Sequence, residues 1–296
     1  MPTTTKSGPH IACELSPERV IAARVADDGM SLDAYTARVI AAGAVVPRLS
    51  EPNIANSSSV RQAVTDVLTT VGSKSRDVVA ILPDACVRVS LLEFDALPEK
   101  REDADSVVRF RLKKALPFDI DAATVSYDVT RANGNVRAVA AVVLNTVLAE
   151  YEGVFRGLGY SPGVVLPSTL AALGNVEGTE ATLVIKSDAA TTTLSIVGGS
   201  ELLLFRTLEN PGGTPPAADQ LVPDVHASLV FFQDTYNMRV DRILVGGLID
   251  TEQVGAVLEA QTEIPVKNLV STRHVPATNS NFPTSSLAGV VGALLG

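Results

Sequence analysis

What this 296-residue chain lacks narrows its chemistry first. It has no Trp, eight Phe and five Tyr, so its core must be built from Val, Leu, Ile and Ala. Its two cysteines, Cys13 and Cys86, lie far apart inside apolar, strand-like runs without metal-ligand spacing. They read as small buried hydrophobes and not as a redox pair. The three histidines, His10, His226 and His274, stand alone, with no Ser, Cys or carboxylate at triad or metal spacing. No GxxxxGK[ST], GxGxxG or HExxH occurs. No apolar run reaches the ~20 residues that cross a bilayer. The N-terminal MPTTTKSGPH also lacks the apolar segment of a signal peptide. A cytoplasmic location is therefore expected, with any membrane association made through a partner. Positive charge is short as well. Lys plus Arg number 24 against 33 Asp plus Glu, a net charge of −9, which excludes a general nucleic-acid binder and leaves room only for a local basic patch.

Apolar residues are plentiful, at 46% against 19% charged, which excludes disorder over most of the chain. The order of elements suggests a duplication. Ile11–Ile40 and Leu183–Leu208 each read as strand, polar turn, alternating strand, Gly-bearing tight turn and third strand, the tight turns being Asp28-Gly29 and Gly198-Gly199. In the first half, Asn56 offers an N-cap for a helix from Val60 to Val71, ended by Gly72. Strands are expected at Val78–Leu82 and Cys86–Phe94. A helix after Pro98 should stop at about Leu116, because Pro117 lacks an N–H and disfavours the helical region for the residue before it. A hairpin Ala123–Thr130/Val136–Leu144 across Asn133-Gly134 and a helix Thr146–Leu158 complete this block. In the second half, a Pro/Gly-rich link (210–216) leads to a helix from about Ala217 to Tyr236. A strand Val240–Val245, a helix Thr251–Ala260, a polar linker Asn279–Ser286 and a last helix Leu287–Leu295 follow.

One stretch narrows the reading further. Arg109–Asp128, RFRLKKALPFDIDAATVSYD, resembles the segment of PilM-family proteins, the actin-like cytoplasmic components of type IV pilus machines. "ILPDACVRVSLLEFDALP" and "SLVFFQDTYNMRVDRILVGG" are similar to further family segments, in family order. The resemblance implies a two-lobed α/β fold of the actin-like class, a duplicated β-β-β-α plan with an inserted α+β subdomain. The implied organisation is a disordered lead (1–9) and a first lobe made of 10–76 with 158–180 and closed by 287–295. An inserted subdomain spans 77–157, and a second lobe at 181–286 lacks most of its helical insertion.

In that family two hairpin turns, reading roughly Asp-x-Gly, present backbone N–H groups to the phosphates of ATP. Here the first turn is Glu14-Leu15-Ser16-Pro17, with Glu14 at the Asp position, Ser16 at the Gly position, and Pro17 removing a donor. At the second turn Lys186 stands for the carboxylate and Asp188 for the glycine, and the residue reading there is a solvated turn with a Lys–Asp pair. Gly246-Gly247 matches the motif near adenosine. The resemblance thus implies a degenerate nucleotide site with no catalytic residue, no metal and no cofactor, ATP with Mg²⁺ being disfavoured. It also implies a scaffold that grips the cytoplasmic peptide of a membrane-anchored PilN-like partner. The groove would lie between the inserted subdomain and the first lobe and involve Arg109, Lys113, Lys114 and Pro117. A basic solvated helix face is the equal alternative for these residues. Two other functions stay open: a nucleotide-binding switch of the same fold, and a protein resembling the cytoplasmic part of the type II secretion L component. The latter continues into a membrane span that this sequence does not contain.

Overall fold

A computed structural model describes residues 9–132, 135–247, 251–276 and 282–296. In chain order the first half comprises β1 (Ile11–Leu15), β2 (Arg19–Val25), β3 (Leu32–Val39), α1 (Ser57–Val71), β4 (Asp77–Leu82), β5 (Arg88–Phe94), α2 (Arg101–Lys113), β6 (Ala123–Ala132), β7 (Asn135–Leu144), α3 (Asn145–Arg156), β8 (Ser161–Pro167) and α4 (Ser168–Ala172). The second half comprises β9 (Thr182–Ser187), β10 (Thr191–Gly198), β11 (Glu201–Glu209), α5 (Ala218–Tyr236), β12 (Arg242–Gly247), α6 (Thr251–Thr262), β13 (Val266–Asn268) and α7 (Ala288–Leu295). The expected lead up to residue 8, the Asn133-Gly134 turn and the start of the polar linker lie outside the described residues.

The duplication is explicit in the sheets. The first runs β3-β2-β1-β4-β8 and the second β11-β10-β9-β12-β13. Each is an antiparallel meander extended by two parallel strands. Both β1 and β9 are buried on both faces; β1 is apolar but for Glu14, and β9 encloses Leu183, Val184 and Ile185 between buried polar ends. Side chains alternate across the pleat. Ile11, Cys13 and Leu15 therefore meet α1 and α3 in one core, while Ala12 turns toward α4 and α7 in another. In the second sheet Leu183 and Ile185 pack in the core that holds α5 and α6, and Val184 joins the core of α7. The order of layers is α1/α3, first sheet, α4/α7, second sheet, α5/α6. Strand β8 is an edge strand, where Pro162 and Pro167 forfeit no ladder donor on the open side.

Several boundaries differ from the expected ones. Strand β4 pairs with β1 and β8 in the first sheet, and α3 buries Val147, Tyr151, Val154 and Phe155 against that sheet. The inserted unit is therefore smaller than 77–157. It is the three-stranded sheet β5-β7-β6 with α2 on one face. Cys86 opens no strand; it ends a 3-10 turn, Asp84–Cys86, whose closing bond runs from Val87 N–H to the Asp84 carbonyl. Helix α2 stops at Lys113, three residues before Leu116, as Ala115 N–H turns back to the Leu112 carbonyl at 2.9 Å. The end of the expected linker is a 3-10 turn, Thr284–Leu287, with Ser285 and Ser286 buried. β8, α4 and β13 are elements that periodicity did not reveal, being short or proline-bearing.

Candidate functional site

The two half-sites meet on the inner faces of the sheets. Residue 14 has the parity of Ala12, and residue 186 that of Val184, so both side chains point between the lobes. Lys186 Nζ lies 3.0 Å from Glu14 Oε1, and each residue is only 4% exposed. Ser168, the first residue of α4, bridges them, donating to Glu14 Oε1 and accepting from Lys186. The expected solvated Lys–Asp turn is thus corrected: Lys186 is a buried inter-lobe ion pair. Burial works to lower the Lys186 pKa, but the carboxylates of Glu14, Asp84 and Asp188 outweigh it and hold the ammonium charged. The second oxygen, Glu14 Oε2, is buried without a hydrogen bond and faces Gly289 in the first turn of α7, where a Cβ would come within 2.3 Å of it. The positive end of that helix lies beside the carboxylate.

Asp84 forms a second tie between the lobes. Its carboxylate accepts from Thr169 N–H at 2.9 Å and the Thr169 hydroxyl in the first lobe, and from Thr193 Oγ1 at 3.1 Å in the second. Burial pushes its pKa up, against the pull of Lys186 and these donors.

At the second hairpin turn, Asp188 N–H closes the hairpin onto the Thr191 carbonyl at 2.9 Å. Asp188 Oδ1 then accepts from Ala190 N–H and Thr191 N–H, each at 2.7 Å. Ala189 N–H donates to Glu18 Oε2 of the opposite lobe at 3.3 Å. Every N–H from 188 to 191 therefore has an oxygen acceptor supplied by the chain itself. In the first turn Ser16 N–H bonds the Arg19 carbonyl at 2.9 Å, and its hydroxyl lies 2.8 Å from Glu18 Oε1. Burial pushes Asp188 up to about 7, despite Lys186 and the Thr191 N–H. Gly246 and Gly247 end β12 against Leu269, Ala288 and the Ser187 backbone, and Ser285 and Ser286 donate to the Gly247 carbonyl at 3.2 Å. Glu14, Ser16, Lys186 and Asp188 thus converge at the inter-lobe centre. The glycine pair is engaged by Ser285 and Ser286, just before α7.

The expected partner residues sit elsewhere. Arg109 is held by Asp105 at 2.8 Å and reaches the Ile120 carbonyl at 3.3 Å. Lys113, Lys114 and Pro117 are exposed. Val108 and Leu112 of α2 pack with Val136, Ala140 and Val142 on one face of the inserted sheet. The opposite face carries Thr124, Ser126, Ala141 and Val143, which meet Leu148, Leu166 and Pro167 of the first lobe around an apolar cavity of about 90 Å³. The basic helix is therefore separated from the groove by the thickness of the sheet.

Among the residues that sequence reasoning missed, Ser168, Thr169 and Thr193 gave no local signal, whereas Asp84 in Leu-Pro-Asp after a buried strand did. Gly159-Tyr160-Ser161-Pro162-Gly163 spells G-x-S-x-G, but Ser161 opens edge strand β8 and not the strand-to-helix elbow such a nucleophile needs.

Solved structures share this two-lobed arrangement at the level of the fold. A PilM–PilN type IV pilus biogenesis complex matches with a TM-score of 0.81 at 16% identity, over 97% of this chain and 98% of that one. The fold is actin-like, in its PilM form. A Bacteroides thetaiotaomicron protein of actin-like ATPase fold follows at a TM-score of 0.53 and 10% identity, over 90% of this chain and 93% of that one. The cytoplasmic domain of EpsL, an inner-membrane component of the Vibrio cholerae type II secretion system, matches at a TM-score of 0.51 and 11% identity, over 89% of this chain and 98% of that domain. No protein-family model matches this chain, and no curated protein is significantly similar in sequence. Among the described residues no helix is long and apolar enough to cross a membrane.

Proposed function

We propose that this PilM-like protein is a non-enzymatic, cytoplasmic adaptor of a type IV pilus or related secretion assembly at the inner membrane. In this reading it grips the cytoplasmic tail of a membrane-anchored, PilN-like partner. The observation that carries the non-enzyme half is the second turn. Asp188 and Glu18 put carboxylate oxygens on the N–H groups of residues 189–191, where a nucleotide would have to put its phosphates. A triphosphate entering there meets two acids and a lysine already neutralised by Glu14. These residues do not fit ATP with Mg²⁺.

The adaptor half rests on the apolar cavity between the inserted sheet and the first lobe. It is walled by Ala141, Val143, Leu148 and Leu166 and sized for an aliphatic side chain of a docked peptide. The Arg109–Lys114 face of α2 has no part in this site because it lies across the sheet. A type II secretion L-like role is the second reading, favoured by the likeness to the EpsL cytoplasmic domain.

Calorimetry on the whole chain tests both halves. Binding of a PilN-like cytoplasmic tail peptide is expected, with no heat from ATP and Mg²⁺. Metal-dependent micromolar ATP binding overturns the first half. Binding only to a tail from type II secretion machinery moves the assignment to the second reading.

A further inference from the structure

A second cleft lies on the other side of the inserted sheet's edge. Strand β5 pairs only with β7, and β11 only with β10, so each offers a free backbone edge among the described residues. The two edges approach each other across the lobes. At one end they are stapled by Arg137, which bridges Glu93 of β5 at 3.2 Å and Glu201 of β11 at 3.0 Å. Toward the other end they part around a cavity of about 760 Å³ lined by Arg88 and Val89 of β5 and by Phe205, Arg206, Thr207 and Glu209 of β11.

Arginines gather in this cleft although the molecule is acidic. Arg48, Arg88 and Arg206 all line it, against Glu209 and the buried Asp84, in a chain whose net charge is −9. Arg48 is shared with Glu51, and Arg206 with Asp224 at 2.9 Å. Arg88 is exposed and has no ion pair among the described residues. An uncommitted guanidinium beside open strand edges and partly buried apolar side chains is a recognition surface for an extended chain with acidic side chains.

We propose that this cleft binds an extended acidic peptide segment of a partner protein, added as a strand to the free edge of β11, with Arg88 pairing its carboxylates. The site is independent of the apolar groove and of the reading given above. Backbone hydrogen bonds to β11 hold the segment, and alternate side chains fall toward Phe205 and toward the arginines.

The test uses the whole chain and blocked octapeptides in which Val or Thr alternates with Glu, compared with the same peptides carrying Gln or Lys. Affinity is read by fluorescence anisotropy and position by hydrogen exchange. The Glu peptides should bind best, weaken with salt, and slow exchange at 205–209. Arg88→Ala, on a surface side chain, should weaken them at least tenfold while leaving the melting temperature unchanged. N-methylation of alternate peptide residues, made in both registers, should abolish binding in one. Equal binding of the Lys peptides, no protection at 205–209 at millimolar peptide, or indifference to Arg88→Ala overturns the proposal. Free citrate or glutamate competing as well as the peptides would show a small-anion site and overturn strand addition.

Discussion

Lys186 and Glu14 occupy equivalent positions on the first strands of the two lobes, and their ion pair, 3.0 Å long and 4% exposed at each end, joins those lobes. A buried pair is rarely a large net gain over apolar residues, but a broken one leaves an uncompensated charge. Lys186→Ala should therefore lower unfolding free energy by about 3–5 kcal/mol, measured by urea denaturation. The double variant Lys186→Met/Glu14→Gln removes both charges and should recover most of that loss. If the double variant is as unstable as the single, the pair is not what couples the lobes there.

The reason this pair was misplaced in the sequence shows where sequence reasoning stops. Local signals located the two three-strand meanders and the Asn56 cap, which accepts from Ser59 N–H at 3.1 Å, because each depends on neighbours in the chain. Lys186 itself read locally as part of a solvated turn. Its partner, 172 residues away, depends on how the lobes oppose, and so do Ser168 and Thr193. Which face of the inserted sheet α2 covers depends on the same long-range placement. The apolar stripe of α2 predicts that it packs on a sheet, but not that the groove opens on the sheet's other face.

Asp188 links stability to pH. Burial raises its pKa from near 4 to about 7 in the folded chain. A carboxyl raised on folding contributes stability that is full below its unfolded pKa and is lost as pH rises through its folded value. Thermal stability should therefore fall between about pH 4 and pH 7. Asp188→Asn keeps an oxygen for the Ala190 and Thr191 N–H groups and should flatten that slope in melting curves at fixed ionic strength. Asp84, raised in the same direction, leaves a residual slope. A variant slope as steep as the parent's would assign the pH dependence elsewhere.

Two Gly→Ala changes should act with opposite sign. A Cβ on Gly292 would come 2.2 Å from the Ala171 carbonyl oxygen and 2.7 Å from Asn175 Nδ2, where α7 crosses α4. Forcing that contact costs about 1–3 kcal/mol and pries at the central layer. Gly153 lies within α3 with nothing within 4 Å of its would-be Cβ, so Gly153→Ala should gain about 0.5–1 kcal/mol from helix propensity. Chemical denaturation of both variants checks the close α4–α7 crossing. A neutral Gly292→Ala would mean the helices can part without loss.

The peptide groove can be separated from the basic helix with two single substitutions. Ala141 lines the apolar cavity and is partly exposed, so Ala141→Phe fills the space from a strand position that tolerates an aromatic side chain. Phe110, 72% exposed on α2, lies on the other side of the inserted sheet, and Phe110→Ser should leave the fold intact. If the groove takes the partner's tail, Ala141→Phe weakens calorimetric binding of the tail peptide at least tenfold, and Phe110→Ser leaves it unchanged. The reverse pattern, with loss on Phe110→Ser or on Lys113→Glu, would return the partner site to α2 and the Arg109–Pro117 face.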